Sequence, residues 1–438
     1  MTGNVWLGIM AFPALFVLIA LRVPIGIAML VIGAGGSALV YGSVTPVLAQ
    51  FKSLAYESVG IYTLSVVPLF LLMGQFATMG GLSRALFSAA DAAVGHRRGG
   101  VALATIAGCA GFGAICGSSL ATAAAIGRVA LPELKAAGYS SAFASGALAA
   151  GGTLGILIPP SIILVIFAAL TEQNVADLFL AALVPGLIAI AGYMAVVAVL
   201  ARLNPEEAGA LRAKPARRDR VAAVLRAWPA GIIFLLVIGG IYTGLFSPTE
   251  AAAIGAAATG LAAVLGKALD LAGLRAALLA TASTTAMIFL ILIGAAALNG
   301  FLALSQLPQA LVAGVDLLDL HPMAVLAIIL AVHLVLAIFM DELAMILLTV
   351  PLVYPLMLSL DFGLTPHQVA IWFGILMLTV VEVGLILPPL GMNLLVIASL
   401  DREARLPALY RGVLPFLASD AARIVLLAAV PAISIFLV

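Results

Sequence analysis

Gly155-Ile-Leu-Ile-Pro159-Pro160 and Gly384-Leu-Ile-Leu-Pro388-Pro389 repeat one pattern. Each sets a glycine four residues ahead of a proline pair, inside an otherwise apolar run. Adjacent prolines withhold two backbone donors and cannot continue a helix. Interrupted backbone is tolerated at membrane depth only where protein buries it or a wet cavity receives it. The reading is therefore of two discontinuous helices, 140–170 and 366–399, interrupted near Gly151–Pro160 and Val383–Asn393.

Composition supplies the membrane. Of 438 residues, 64% are hydrophobic and 9% charged, where a soluble domain carries about 25% charged residues. Apolar stretches such as Val5–Leu21, Val23–Val40, Leu178–Leu200, Gly231–Leu245 and Ala276–Leu298 approach the ~20 residues that cross a bilayer. Val5–Leu21 lacks a basic n-region and runs into a second span, so it does not read as a cleavable signal. The net charge of +1 excludes a basic nucleic-acid binder. Cys109 and Cys116 share a helix face; buried packing is the favoured reading and a metal pair the alternative.

Basic residues fix orientation by the positive-inside rule. Arg202–Arg226, with Arg212, Lys214, Arg217, Arg218 and Arg220, reads as a cytoplasmic linker. Further cytoplasmic turns fall at Arg22, Arg84–Arg98, Arg128–Lys135, Lys267–Arg275 and Arg402–Arg411. Tyr41–Gly60, Thr171–Asp177, Phe246–Thr249, Ser305–His321 and Asp361–His367 carry almost no Lys or Arg, Lys52 excepted, and read as outer connections. The N-terminus is then outside. The count works only if two segments enter and leave on one side.

Those segments are two candidate re-entrant hairpins. The first, 99–136, has basic ends and a small-residue tip at Ala114-Ile-Cys-Gly117-Ser118-Ser119. The second, 322–360, lacks basic ends and has its tip at Phe339-Met340-Asp341-Glu342. One hairpin from each face, each followed by a broken helix, is the inverted repeat of many secondary transporters. The alternative is that proline pairs merely kink ordinary spans. The expected fold is all-α and integral to the membrane, with about 10 to 11 spans plus the hairpins. Residues 1–98 would form scaffold helices and an arm, 99–203 the first repeat with a helix at 178–203, and 204–227 the linker. Residues 228–321 would add scaffold helices and a periplasmic arm, and 322–438 the second repeat, ending in a helix at 412–438.

A charge inside a span is a functional hypothesis by default. Asp341 lies midway in an apolar hairpin, beside Glu342. Na⁺, a hard cation, takes oxygen ligands of the kind that a carboxylate and the carbonyls around Gly384–Pro388 supply. Asp341 would equally cap a helix start. Ser118, Ser119 and Thr122 are read as facing Gly151-Gly152-Thr153, either as a second ion site or as close helix packing. Helix N-termini at tips and breaks favour an anionic substrate, and no arginine is read at the midplane. Glu382 and Asn393 bracket the second break, to line the cavity or tie the hairpin. His333 is read as packing, with a proton relay as the alternative. Glu172-Gln173-Asn174 reads as an outer loop, Glu250 as a partner of Ser247 in a capping box, and Tyr139 and Trp372 as anchors or packing.

Gly108-Cys-Ala-Gly-Phe-Gly-Ala-Ile-Cys-Gly-Ser-Ser119, Ala130-Leu-Pro-Glu133 and Ala150-Gly-Gly-Thr-Leu-Gly-Ile-Leu-Ile-Pro-Pro-Ser161 resemble the large membrane subunit of tripartite ATP-independent periplasmic (TRAP) transporters. So do Phe339-Met-Asp-Glu342, Leu348-Thr-Val-Pro351 and Val381-Glu-Val-Gly-Leu-Ile-Leu-Pro-Pro-Leu-Gly-Met-Asn393, and the likeness covers nearly the whole chain. The resemblance implies an elevator mechanism in a bacterial inner membrane and two Na⁺ sites. It implies Gly117, Ser119, Gly152 and Thr153 around one ion, and Met340, Asp341, Gly384 and Pro388 around the other. Substrate would meet Ser118, Ser119, Thr122, Thr153, Pro159 and Asn393. It further implies a small four-helix membrane subunit on a separate chain, a periplasmic substrate-binding protein, and surrounding membrane lipid. Many members carry threonine just before the second proline pair, where this chain has Leu387. A stand-alone anion carrier is the competing function. A membrane enzyme is disfavoured, since no HExxH, GxSxG or Walker A motif is present, and a receptor would not need paired breaks.

Overall fold

The computed structural model describes residues 2–401 and 405–438. Arg402, in the turn expected at Arg402–Arg411, lies outside the described residues. Among those described, eight helices are long and apolar enough to cross a membrane, or up to ten if each bent pair counts as one span. The chain is thus an all-helical, multi-pass membrane protein, with a count at or below the low end of the 10 to 11 expected.

Both proline pairs interrupt helices. Ser141–Leu157 ends where Pro159 and Pro160 cannot donate to the preceding turn, and Ile158 N to the Leu154 carbonyl, at 3.1 Å, is its last bond. The chain resumes as Ile162–Thr171, with Ser161 capping it by accepting from Leu164 N, and the two pieces meet at 41°. The interruption is narrower than expected. Gly151, Gly152 and Thr153 are helical, because the helix needs no break until the first missing donor. In the second repeat Pro366–Gly384 stops, and Met392–Leu400 follows after a longer turn held by Asn393 N to the Leu385 carbonyl at 2.9 Å.

Each broken helix follows a helical hairpin. Gly100–Cys116 and Ser119–Ala136 are joined by Gly117-Ser118, and Gly117 supplies the left-handed conformation (φ 66°) that this turn requires. Pro322–Phe339 and Glu342–Ser359 are joined by Met340-Asp341. The helix Pro366–Gly384 is the centre of the molecule. Over its most apolar 18 residues it is 89% buried, against 28–56% for the other long apolar helices. Trp372 is fully buried on it and donates to the Leu427 carbonyl at 2.8 Å, so it packs and anchors no interface. Tyr139 is also buried, edge-on to Phe143.

Three connections contain helices of their own. Tyr41–Gly60 contains a helix, Thr45–Val59, and Ser305–His321 contains Leu307–Leu318. The basic linker holds a helix, Arg217–Arg226, where alanine and arginine favour it once Pro215 is past. Before that helix the linker straps the first hairpin. Ala210 N donates to the Ala137 carbonyl at 2.8 Å, and Arg212 contacts Glu133 at 3.1 Å and Asp91 at 3.6 Å. The last long helix is Leu406–Ala429, earlier than the expected 412–438, since Pro407 is tolerated in a first turn and Pro431 ends the run.

Candidate functional site

Each hairpin tip sits on the break of its own repeat. At the first, a side chain on Gly117 would lie 2.7 Å from the Pro160 carbonyl oxygen, and one on Gly155 would lie 2.6 Å from the Ser118 carbonyl. Ser118 is the N-cap of the second hairpin arm, accepting from Ala121 N at 3.5 Å. At the second, Gly384 abuts Ala337. Asp341 is the corresponding N-cap, and its Oδ1 accepts from Leu343 N and Ala344 N, both at 3.0 Å. Its capping role is therefore formed in the fold.

Two cavities meet these tips. One of about 170 Å³ lies between the second tip and second break, lined by Met340, Asp341, Glu342, Gly384 and Leu390. A second, of about 360 Å³, brings Ser118 and Gly117 of the first tip together with Asp341 and Glu342 of the second. It is also lined by Pro24–Gly26 and by Met287, Ile288, Leu290 and Ile291 of the long helix Leu271–Leu304. Among the described residues, no lysine or arginine lines either cavity. Glu342 Oε2 is buried without a hydrogen-bond partner.

The remaining predicted residues separate into two groups. Ser119 is fully buried and bonds Asn393, not Gly151–Thr153: Asn393 Nδ2 donates to Ser119 Oγ at 2.8 Å and to the Ala149 carbonyl at 3.0 Å. Gly152 faces Ala123 and Asn393 on this side, and Thr122 faces Gly155. Pro159 is buried in the first break, and Pro388 is half-buried in the second. Thr153 points the other way. Successive helical residues are turned by about 100°, so when Gly152 faces the hairpin Thr153 faces the molecular centre.

There Thr153 Oγ1 donates to Glu382 Oε1 at 2.7 Å and stands 3.2 Å from the Tyr193 hydroxyl. Arg423 Nη2 donates to Glu382 Oε2 at 2.7 Å and to Asp420 Oδ1 at 2.9 Å, and Tyr193 donates to Asp420 Oδ2 at 2.9 Å. All five side chains are buried. Glu382 is thus tied into a charged cluster and lines no described cavity. Asp420, Arg423 and Tyr193 were missed from sequence, and the signal was present: an acid and a base three apart in an apolar span must find partners. Arg423 is a buried arginine that the sequence reading did not foresee, although it serves carboxylates of this chain. His333 Nδ1 bonds its own helix at the Ile329 carbonyl, 2.7 Å, consistent with packing. Ser247 and Glu250 form the expected capping box.

Comparison with known proteins agrees with this architecture. The family described as the DctM component of tripartite ATP-independent periplasmic transporters matches residues 12–433. The C4-dicarboxylate TRAP transporter large permease protein of Pseudomonas aeruginosa is 37% identical over 385 residues, covering 87% of each chain. The ectoine/5-hydroxyectoine TRAP transporter large permease protein of Ruegeria pomeroyi is 31% identical, covering 97% of each. Among solved structures, the Alcanivorax borkumensis YdaH transporter superposes with a TM-score of 0.58 at 17% identity, over 87% of each chain, a likeness of fold. The chain belongs to the family of DctM components, the large permease subunits of tripartite ATP-independent periplasmic transporters.

Proposed function

We propose that this chain is the translocating subunit of a Na⁺-coupled importer of an organic carboxylate in a bacterial inner membrane. It works with a small four-helix membrane subunit and a periplasmic substrate-binding protein. One observation carries the reading: the capping residues of the two hairpins, Ser118 and Asp341, line the same cavity of about 360 Å³. The two hairpins are re-entrant in this account, and each closes with its own break around one Na⁺. Asp341 and the carbonyls at the second break offer the oxygen ligands a hard cation takes.

With no basic side chain among the described residues lining the cavity, a substrate carboxylate would be held by the helix N-termini at Ser119 and Glu342 and by the bound cations. The apolar face from Met287 to Ile291, with Pro24–Gly26, is the surface past which hairpins and broken helices slide as an elevator. The basic linker lies on the cytoplasmic side.

The test is uptake into proteoliposomes holding this chain and its small subunit, with a panel of organic acids, with and without an inward Na⁺ gradient and the cognate binding protein. Uptake requiring both supports the proposal. Uptake that needs Na⁺ but no binding protein would mark a stand-alone carrier, and uptake indifferent to Na⁺ would remove the ion assignment.

A further inference from the structure

Thr153 and Glu382 are 229 residues apart, the interval that also separates Gly155 from Gly384 and Pro159 from Pro388. They occupy the same position in the two repeats, and they are bonded to each other. A residue that touches its own counterpart lies at the axis relating two copies, as in a two-fold interface. The cluster around this contact is drawn from four helices, the same two from each repeat. Thr153 and Glu382 come from the broken helices, Tyr193 from Val175–Leu203, and Asp420 and Arg423 from Leu406–Ala429.

Thr153 lies two residues before Gly155, which bears on the first hairpin tip. Glu382 lies two residues before Gly384, which bears on the second hairpin. The axial bond is therefore a rigid strut between the two breaks. Arg423 braces it by holding Glu382 Oε2 against Asp420, while Tyr193 spans Thr153 and Asp420. Neither Arg423 nor Tyr193 lines a tip cavity.

We propose that Arg423, Asp420 and Tyr193 are positioning residues that couple the two breaks, so that Na⁺ bound at one strengthens binding at the other. The inference rests on the two-ion reading above. Coupling between sites needs an element that both sites bias, and the Thr153–Glu382 strut is that element. Cooperativity then appears as a Hill coefficient above one, bounded by the number of sites.

The experiment is equilibrium binding of radioactive Na⁺ to the purified full chain, compared among wild type, Tyr193→Phe, Arg423→Gln and Arg423→Lys. Tyr193→Phe removes one oxygen and preserves the ring, so it remains informative if Arg423→Gln does not fold. Wild type is expected to bind two ions with a Hill coefficient approaching about two. Tyr193→Phe should still bind two but with a coefficient near one and a raised half-saturation, and Arg423→Lys should keep more cooperativity than Arg423→Gln. A purely structural role would lower the melting temperature and leave the coefficient alone. An unchanged coefficient in Tyr193→Phe overturns the inference, as does non-cooperative binding of two ions by wild type, which leaves the two-ion reading intact. No Na⁺ bound by wild type removes both.

Discussion

Asn393 and Ser119 satisfy each other at both ends of the amide: Nδ2 donates to Ser119 Oγ at 2.8 Å, and Ser119 Oγ donates back to Oδ1 at 3.2 Å. Asn393 begins the second half of the second broken helix, and Ser119 opens the second arm of the first hairpin. The pair therefore ties the tip of one repeat to the break of the other. Both residues are fully buried.

Replacing Asn393 with leucine is expected to leave the Ser119 hydroxyl and one bond of the Ala149 carbonyl without their partner. A buried polar group left unpaired costs about 1–3 kcal/mol, so the detergent-solubilised protein should melt at lower temperature. Ser119→Ala on top of Asn393→Leu should add little, because the hydroxyl it removes has already lost its partner. Thermal melts of the two single variants and the double variant decide it; simple additivity would mean that the two residues are independent.

The central cluster should show an unequal response to its two kinds of charge. Arg423→Met leaves Glu382 and Asp420 together in the core with no cation, and breaking a buried pair in this way costs about 3–5 kcal/mol. Glu382→Gln keeps the Arg423–Asp420 pair at 2.9 Å and the geometry of the side chain, so its effect should be much smaller. Unfolding of both variants in a denaturant series is the measurement. Equal losses would show that Glu382, and not Asp420, is the main counter-ion of Arg423.

How much of this was legible follows from where each signal lies. A proline pair acts on its own backbone, so both breaks could be read from Pro159-Pro160 and Pro388-Pro389, the first tip from the small residues around Gly117, and the second from the acids Asp341 and Glu342 midway in an apolar stretch. The extent of the first break could not, because glycines at 151 and 152 look like loop residues yet serve close helix contact. The side-chain pairings were hidden for another reason. Whether residue 152 or 153 faces the hairpin depends on helix rotation, which only the surrounding packing sets. Glu382 and Arg423 meet across two spans whose relative position is a tertiary fact, and that is why their pairing was not legible.

The linker strap responds to pH through Asp91, which lies outside the long apolar spans. Burial pushes its carboxyl above the ordinary value of 3.8, outweighing the downward pull of Arg212, and Glu133 adds to the rise. A raised acid binds its proton more tightly when folded, so its contribution to stability is complete below 3.8 and is lost as pH climbs through the elevated folded value. Wild type should therefore lose stability, as pH rises above 3.8 through the elevated folded value, by more than Asp91→Asn does. Melting curves of the two proteins over that range test the sign; parallel curves would mean that Arg212 compensates the carboxylate in full.

Asp341 is where a cap and an ion ligand can be told apart. Its Oδ1 already holds Leu343 N and Ala344 N, a role that asparagine fills about as well, whereas alanine loses about 1 kcal/mol of helix stability. Asp341→Asn should accordingly melt near wild type while losing Na⁺-driven uptake, since the amide keeps the cap and removes the charge. Asp341→Ala should lose both. If Asp341→Asn transports with unchanged Na⁺ dependence, the carboxylate is a cap alone, and the ion at the second break must be held by the carbonyls around Gly384 without it.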